Sequence, residues 1–240
     1  MSESAPGEQR PSRRRRNGAR GLTLVEVLVV VAVGALLAGG MVFGAGQLQR
    51  SRLRSSASRI AAAMHVAYMR ASSTGKNLRL VVDIDAASIW IEESNDVMLL
   101  KTDDLAGSGG ANAATDVERQ AEEEANRIGS GVQTARATFH AVTGPAGQPQ
   151  ELYKGIIVKE VDAAHVSEAK TSGRGYVYFF GSEAERATVQ VGIAGGDPEK
   201  DVFTIVLAPL TGRTKISDKA IAMKRPHDDA EASEAEDNGT

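Results

Sequence analysis

Hydrophobic positions divide the chain into stretches of different periodicity. From Leu22 to Gly46, Thr23 and Glu26 are the only clearly polar side chains. As a helix this stretch would be about 37 Å long at about 1.5 Å per residue, enough to cross a bilayer. The pattern that follows is narrower, because apolar residues recur at alternating spacings of four and three, at Leu53, Ala57, Ile60, Met64, Ala67 and Ala71. The two patterns predict one long helix over 22–74, transmembrane over 22–46 and amphipathic beyond.

Strand-type patterns take over after "TGKN" (74–77), which ends the helix. Segments rich in β-branched and aromatic residues predict strands at 78–85, 87–94, 155–161, 175–181, 187–193, 201–208 and 214–217. The first two form a predicted hairpin. The fold class is therefore α+β, with a long N-terminal helix and an antiparallel β-rich head over 75–225.

Three segments lie outside this pattern. Residues 1–21 are polar, hold six arginines and two glutamates, and are expected to be a disordered leader. Residues 101–150 form an insert rich in Gly, Ala and Ser, with one short exposed helix expected within 115–128. Residues 226–240 are acidic and are expected to be a disordered tail.

Charge and composition exclude several classes of protein. The net charge is −3, of which the leader contributes +4 and the remainder −7, and a basic leader beside a membrane segment argues against a nucleic-acid partner. No cysteine is present, so disulfides, thiolate zinc sites and a cysteine nucleophile are excluded. Four histidines (65, 140, 165 and 227) lack metal-ligand spacing, and no HExxH, phosphate-loop or GxSxG motif occurs. We expect no enzyme activity, no catalytic residue, no metal and no cofactor.

The carboxylate of Glu26 requires an explanation, since a charged side chain costs about 2.5–3.5 kcal/mol near a bilayer centre and less near its edge. A secretory signal peptide is disfavoured because its apolar core would run only about 7–15 residues. An ordinary signal anchor explains the length and the basic leader, with Glu26 as a tolerated interfacial acid. It leaves unexplained why the leader ends in Gly21, followed by "LTLVE" and an apolar run.

The complete motif, a basic leader followed by Gly21, Leu22 and Glu26, resembles the processing site of type IV pilins and type II secretion pseudopilins. The resemblance implies that prepilin peptidase cuts after Gly21 and methylates the new N-terminus at Leu22. It implies that the acid at the fifth mature position, Glu26, recruits subunits into a filament. Leu22 departs from the phenylalanine that is commonest at the first mature position.

A physical argument agrees with this role for Glu26. Cleavage would leave a cationic amine on Leu22, and unpaired charges at low dielectric are expensive. The carboxylate of an incoming subunit could pair with the amine of the preceding one, and such a contact would fix the register between subunits.

The head narrows the resemblance further. "GYVYFFGSEAERATVQVG" (175–192) and "FTIVLAPLTGRTKI" (203–216) resemble the H-class minor pseudopilin of type II secretion and FimT-like minor pilins. This resemblance covers residues 13–94 and 152–217. It implies that the stripe from Leu53 to Ala71 packs on a head of two small antiparallel sheets. The spacing of Gly40 and Gly44 permits close contact with other pilin helices. "PLTGR" (209–213) is also compatible with a hairpin turn in which Gly212 has a positive φ.

We therefore expect a minor pseudopilin in the inner membrane, with a cytoplasmic N-terminus and a periplasmic head, assembled at or near the tip of a periplasmic pseudopilus. Its expected partners are prepilin peptidase and other pseudopilins, major and minor, with no nucleic acid. One alternative is a minor type IV pilin serving pili, adhesion or DNA uptake. Another is a membrane-anchored periplasmic binding module that is never processed, which would keep its leader and be indifferent to Glu26.

Overall fold

The computed structural model describes residues 23–100, 108–128 and 136–223, without the side chains of residues 37–46, 125, 126 and 128. The chain divides into two units, residues 1–45 and 46–240. Helix α1, Leu24–Thr74, contributes residues to both. The leader, Leu22, and the acidic tail lie outside the described residues.

The amphipathic part of α1 is fixed by the stripe that its periodicity predicts. All six residues of the stripe are fully buried. They share one hydrophobic cluster with residues of the strands, so this face of α1 is a wall of the core of the second unit. Burying a large apolar side chain stabilises a fold by about 1.5–3 kcal/mol, and Leu53, Ile60 and Met64 each supply one. Gly75 ends the helix with a φ of 66° and a bond from its N–H to the carbonyl of Ala71.

Two antiparallel sheets complete this unit. Sheet 1 contains β1 (Asn77–Asp83), β2 (Ser88–Ser94), β3 (His140–Ala141), β4 (Gln150–Glu151), β6 (Arg174–Phe180) and β7 (Glu183–Ala184). Sheet 2 contains β5 (Ile156–Ala163), β8 (Ala187–Ile193), β9 (Val202–Leu207) and β10 (Thr214–Ser217). Strand order is β3-β2-β1-β6-β7 in sheet 1, with β4 also on β2, and β10-β9-β8-β5 in sheet 2. The α+β class and the antiparallel pairing are confirmed.

The strands of sheet 1 alternate between two buried faces. On β1, Leu78, Leu80 and Val82 face the core that contains α1. Between them, Arg79 and Val81 face the opposite side, where a second cluster contains Trp90, Tyr176 and Tyr178. Because successive side chains of a strand point to opposite faces, a strand buried on both sides reads as a continuous apolar run. This explains the composition of "YVYFF" and, apart from Arg79, of "LRLVV".

The insert packs on the second face of sheet 1. The sequence predicts instead an insert that is exposed to solvent. Its helix α2, Asp116–Ile128, is where the sequence places it, and most of its described side chains are exposed as predicted. Glu118 of this helix is nevertheless buried and accepts a hydrogen bond from the Tyr176 hydroxyl at 2.6 Å. The Tyr178 hydroxyl donates to the carbonyl of Ser108 at 2.5 Å. Both tyrosines lose contact with water, and burial raises the pKa of each hydroxyl above its ordinary value, with the Glu118 carboxylate adding to the effect at Tyr176.

A buried arginine joins the insert to sheet 1. Arg79 donates to Glu92 at 2.7 Å, and its guanidinium lies 4.5 Å and 4.3 Å from the ring centres of Phe139 and Tyr176. Burial alone would lower the pKa of Arg79, but the neighbouring Tyr178 and Glu92 outweigh it, so the pKa is raised and the charge is kept. An arginine stacked between rings and paired with a carboxylate satisfies a buried charge.

Gly212 of "PLTGR" is held by the helix as well as by the turn. Its φ is 59°, and its N–H donates to the carbonyl of Ala208 at 3.0 Å. A Cβ at this position would lie 2.2 Å from Cγ of Tyr68 on α1. The turn therefore requires glycine twice, for its left-handed backbone and for its close approach to the aromatic ring.

Gly212→Ala is expected to lower the free energy of unfolding of the second unit by about 2 kcal/mol or more, because strain and overpacking act together. Gly181→Ala is the matched control, since Gly181 has a φ of 51° but an added Cβ would meet no atom within 4 Å. It should cost only the backbone strain, about 1 kcal/mol. Urea unfolding of the detergent-solubilised full chain measures both; equal losses would mean that the contact with Tyr68 contributes nothing.

A carboxylate of β2 ties α1 to sheet 1. Glu93 accepts from Arg70 of α1 at 2.9 Å and from Lys76 at 3.0 Å. Burial would raise the pKa of Glu93, but the two cations outweigh it and the pKa is lowered from 4.5. The stabilisation is thus present above pH 4.5 and disappears as the pH falls through the lower folded-state pKa.

Glu93→Gln should therefore destabilise the fold at pH 7, and the difference from the unmodified chain should shrink below pH 4.5. Urea unfolding at several pH values measures this difference. Glu183→Gln, at an exposed position of β7, should give a small difference at every pH. A loss at Glu93 that does not change with pH would show that the ion pairs contribute no stability.

Candidate functional site at the start of the first helix

The first turn of α1 is built by a threonine cap. Thr23 precedes the first helical residue, and its Oγ1 accepts from the backbone N–H of Glu26 at 3.3 Å. Its carbonyl accepts from the N–H of Val27 at 3.2 Å. Thr23 is therefore the N-cap and Glu26 the third helical residue, which is the S/T-x-x-E pattern of a capping box.

The Glu26 side chain is exposed and has no hydrogen bond or ion pair among the described residues. Its position in the first turn is favourable, because the partial positive charge of a helix N-terminus stabilises a carboxylate by about 0.3–1 kcal/mol. The cap holds the backbone of Glu26, while the carboxylate itself is left available for another group.

Apolar side chains surround this carboxylate along the helix. Leu24, Leu28 and Leu36 are 81%, 62% and 77% exposed, and the valines between them are similarly open. In the described residues of this unit nothing covers this surface. It is an apolar helix surface with a single carboxylate near its start.

Several predicted site residues fall outside what the structure describes. Gly21 and Leu22, the predicted cleavage and methylation positions, lie outside the described residues. Gly40 and Gly44 lie within α1, but the side chains around them, those of residues 37–46, are not described. Over the described residues, no helix has both the length and the apolarity needed to cross a membrane.

The histidines occupy unrelated places. His65 and His140 are exposed, and His227 lies outside the described residues. His165 is buried, with its Nδ1 2.6 Å from Glu185, whose other oxygen accepts from the backbone N–H of Tyr178. His165 and Glu185 therefore belong to the buried packing against sheet 1. No group of three or more His, Cys, Asp or Glu side chains that could hold a metal ion occurs in the part of the chain that the structure describes.

Sequence reasoning singled out Glu26 but missed the cap. The signal was present as "TLVE" (23–26), which matches the capping pattern immediately before an apolar run. The presence of an acid here thus has two physical reasons. The partial positive charge of the helix N-terminus favours an acid in the first turn, and an exposed carboxylate can bind a cation.

Comparison with known proteins adds one assignment at this site. A family described as "Prokaryotic N-terminal methylation motif" matches residues 16–42. The chain carries this motif. The match spans the junction between Gly21 and Leu22 together with Glu26.

No curated protein matches the chain. Among solved structures, the chain is similar to the crystal structure of the minor pseudopilin EPSH from the type II secretion system of Vibrio cholerae. The alignment covers 72% of this chain and 98% of that one, at 11% identity and a TM-score of 0.38. A likeness of this degree does not assign a function.

Proposed function

We propose that this chain is the precursor of a minor pseudopilin of a type II secretion system. Prepilin peptidase cuts it after Gly21 and methylates the amine of Leu22. The mature chain is anchored in the inner membrane by residues 22–46, with its head in the periplasm, and is incorporated at or near the tip of the pseudopilus. The observation that carries this proposal is the methylation motif over residues 16–42.

The geometry of the first turn supports a role for Glu26 in assembly. The cap on Thr23 holds the Glu26 backbone in the helix, and the carboxylate is exposed without a partner among the described residues. Cleavage would place a cationic amine one turn away in the same chain. In a filament of staggered helices, the Glu26 carboxylate of one subunit would pair with the amine of its neighbour. At low dielectric that pairing is favoured over two unpaired charges.

The head resembles both H-class minor pseudopilins and FimT-like minor pilins, so a minor type IV pilin is the second candidate function, and the genes that neighbour this one would separate the two. The structure gives "PLTGR" a structural role, since Gly212 packs on Tyr68. Other pseudopilins would contact this subunit through the exposed apolar surface of α1.

Processing is tested first by the intact mass and N-terminal sequence of the membrane-bound protein, from cells with and without prepilin peptidase. We expect a chain that starts at Leu22 and is heavier by one methyl group, found only when the peptidase is present. A chain that keeps its leader in both strains would make this an ordinary membrane-anchored protein. A Gly21→Leu variant should remain uncut in either strain.

The role of Glu26 is tested by separating its charge from the cap. Glu26→Gln keeps a residue that suits a capping box but removes the charge, and should leave cleavage intact while reducing incorporation into filaments at least tenfold. Thr23→Ala removes the cap, at a cost of about 1 kcal/mol, and keeps the charge, so its effect on incorporation should be much smaller. Cross-linking to co-expressed pseudopilins measures incorporation. Equal effects of the two variants would assign Glu26 to helix capping alone.

A further inference from the structure

The part of α1 that follows its apolar stretch carries charges of one sign only. Between Gln47 and Ser73 it contains five arginines and no acidic residue. Two of these have partners: Arg59 donates to the carbonyl of Glu151 at 2.5 Å, and Arg70 pairs with Glu93. Arg50, Arg52 and Arg54 make no ion pair and no side-chain hydrogen bond within the described ranges 23–100, 108–128 and 136–223.

Arg50 and Arg54 form a fixed basic pair. Both are exposed, and they lie one turn apart on the same side of the helix, where like charges repel slightly. The backbone beneath them is held in place, since Leu53 is fully buried in the core and Ser56 accepts from the N–H of Tyr153 at 3.2 Å. Two exposed arginines on a fixed stretch of helix suit a segment that carries several carboxylates.

This chain contains such a segment. Residues 226–240 carry six acids, Asp228, Asp229, Glu231, Glu234, Glu236 and Asp237, and only one histidine as a possible cation. The segment starts close to a fixed point on sheet 2, because the N–H of Ile221 donates to Thr204 at 3.1 Å and Gln190 donates to the Ile221 carbonyl at 3.4 Å. Met223, the last described residue, is buried.

The length of the segment permits contact with the arginines. The residues that follow Met223 extend to about 55 Å at about 3.3 Å each. A unit of the size of residues 46–240 has a radius of gyration of about 16 Å, less than a third of the extended length of the segment.

We propose that the acidic segment 226–240 docks, within the same chain, on Arg50 and Arg54 of α1. The proposal goes beyond the pseudopilin assignment and depends on it in one respect. The arginines of residues 13–16 are a stronger basic run, and only in a chain inserted across a membrane are they kept apart from the acidic segment. Docking would neutralise α1 just beyond its apolar stretch and would cover the surface beside Leu53.

The absence of cysteine from the chain allows a direct test by disulfide trapping. The full chain is reconstituted in phosphatidylcholine vesicles with Ser233→Cys in the acidic segment and Ser51→Cys beside the basic pair. The matched control carries Ser233→Cys with Ser73→Cys, another exposed position of α1, about 33 Å further along the helix. The tether length to the two positions differs, so the rate difference is attributed to docking only when the salt and arginine variants below, which leave the tether unchanged, abolish it.

We expect the pair at 51 and 233 to form an intramolecular disulfide at least tenfold faster than the pair at 73 and 233. The advantage should fall to less than about twofold in 1 M salt, where charges are screened beyond about 3 Å, and in an Arg50→Gln, Arg54→Gln variant. Equal rates for the two pairs at low salt would overturn the proposal. So would a disulfide that links two chains, which would make a second copy the occupant.

Anionic lipid is the competing ligand for the same arginines. Replacing a third of the phosphatidylcholine with phosphatidylglycerol should leave the fast rate within twofold. A fall to the control rate would show that lipid headgroups displace the segment, and that result would also overturn the proposal. None of these outcomes depends on cleavage at Gly21, so failure here is distinguishable from failure of the proposed function.

Discussion

The stripe from Leu53 to Ala71 is the constraint on which the second unit depends. Its side chains have no contact with water, and they pack on the inner residues of both sheets. Two small sheets with several two-residue strands could not bury enough apolar surface by themselves, so the helix supplies the common wall. The turn at Gly212 and the ion pairs of Glu93 fasten the same helix at two further places. Loss of the stripe would therefore affect both sheets together.

Local patterns predicted the helix, the seven longer strands and the fold class, because the helix has a regular spacing of apolar residues and the strands are rich in β-branched and aromatic residues. The bounds agree to within a few residues; "ATVQVGI" and "TKIS" are strands over the predicted ranges. The packing of the insert was not predictable in this way. Glu118 and Tyr176 are 58 residues apart, and a charged helix such as "DVERQAEEEANRI" is expected to lie in solvent. A buried carboxylate bound to a tyrosine leaves no periodic signal, and β3, β4 and β7 are too short to leave one.

At the start of α1, sequence and structure contribute different parts of one explanation. The resemblance of the motif singles out Glu26 as the acid at the fifth mature position, and the geometry shows why it is compatible with a helix start. Thr23 satisfies the Glu26 N–H through its hydroxyl, so the carboxylate is not consumed by the cap. Had the carboxylate also been bonded within the chain, it would have been a poor candidate for contact with a neighbour.

The two parts of α1 meet opposite physical requirements. Residues 53–71 present one apolar face and bury it within the chain, so they need no partner. The described residues from Leu24 to Leu36 are apolar on every side apart from Glu26 and remain uncovered. Contact with lipid or with other helices stabilises an apolar surface of this kind. A subunit that leaves lipid for a filament exchanges one apolar environment for another, and this exchange gives little net free energy. In the proposed filament, pairing of the Glu26 carboxylate with the amine of a neighbouring subunit would supply a further favourable contribution. Selectivity for the filament over the membrane would then come from one carboxylate and not from the apolar surface around it.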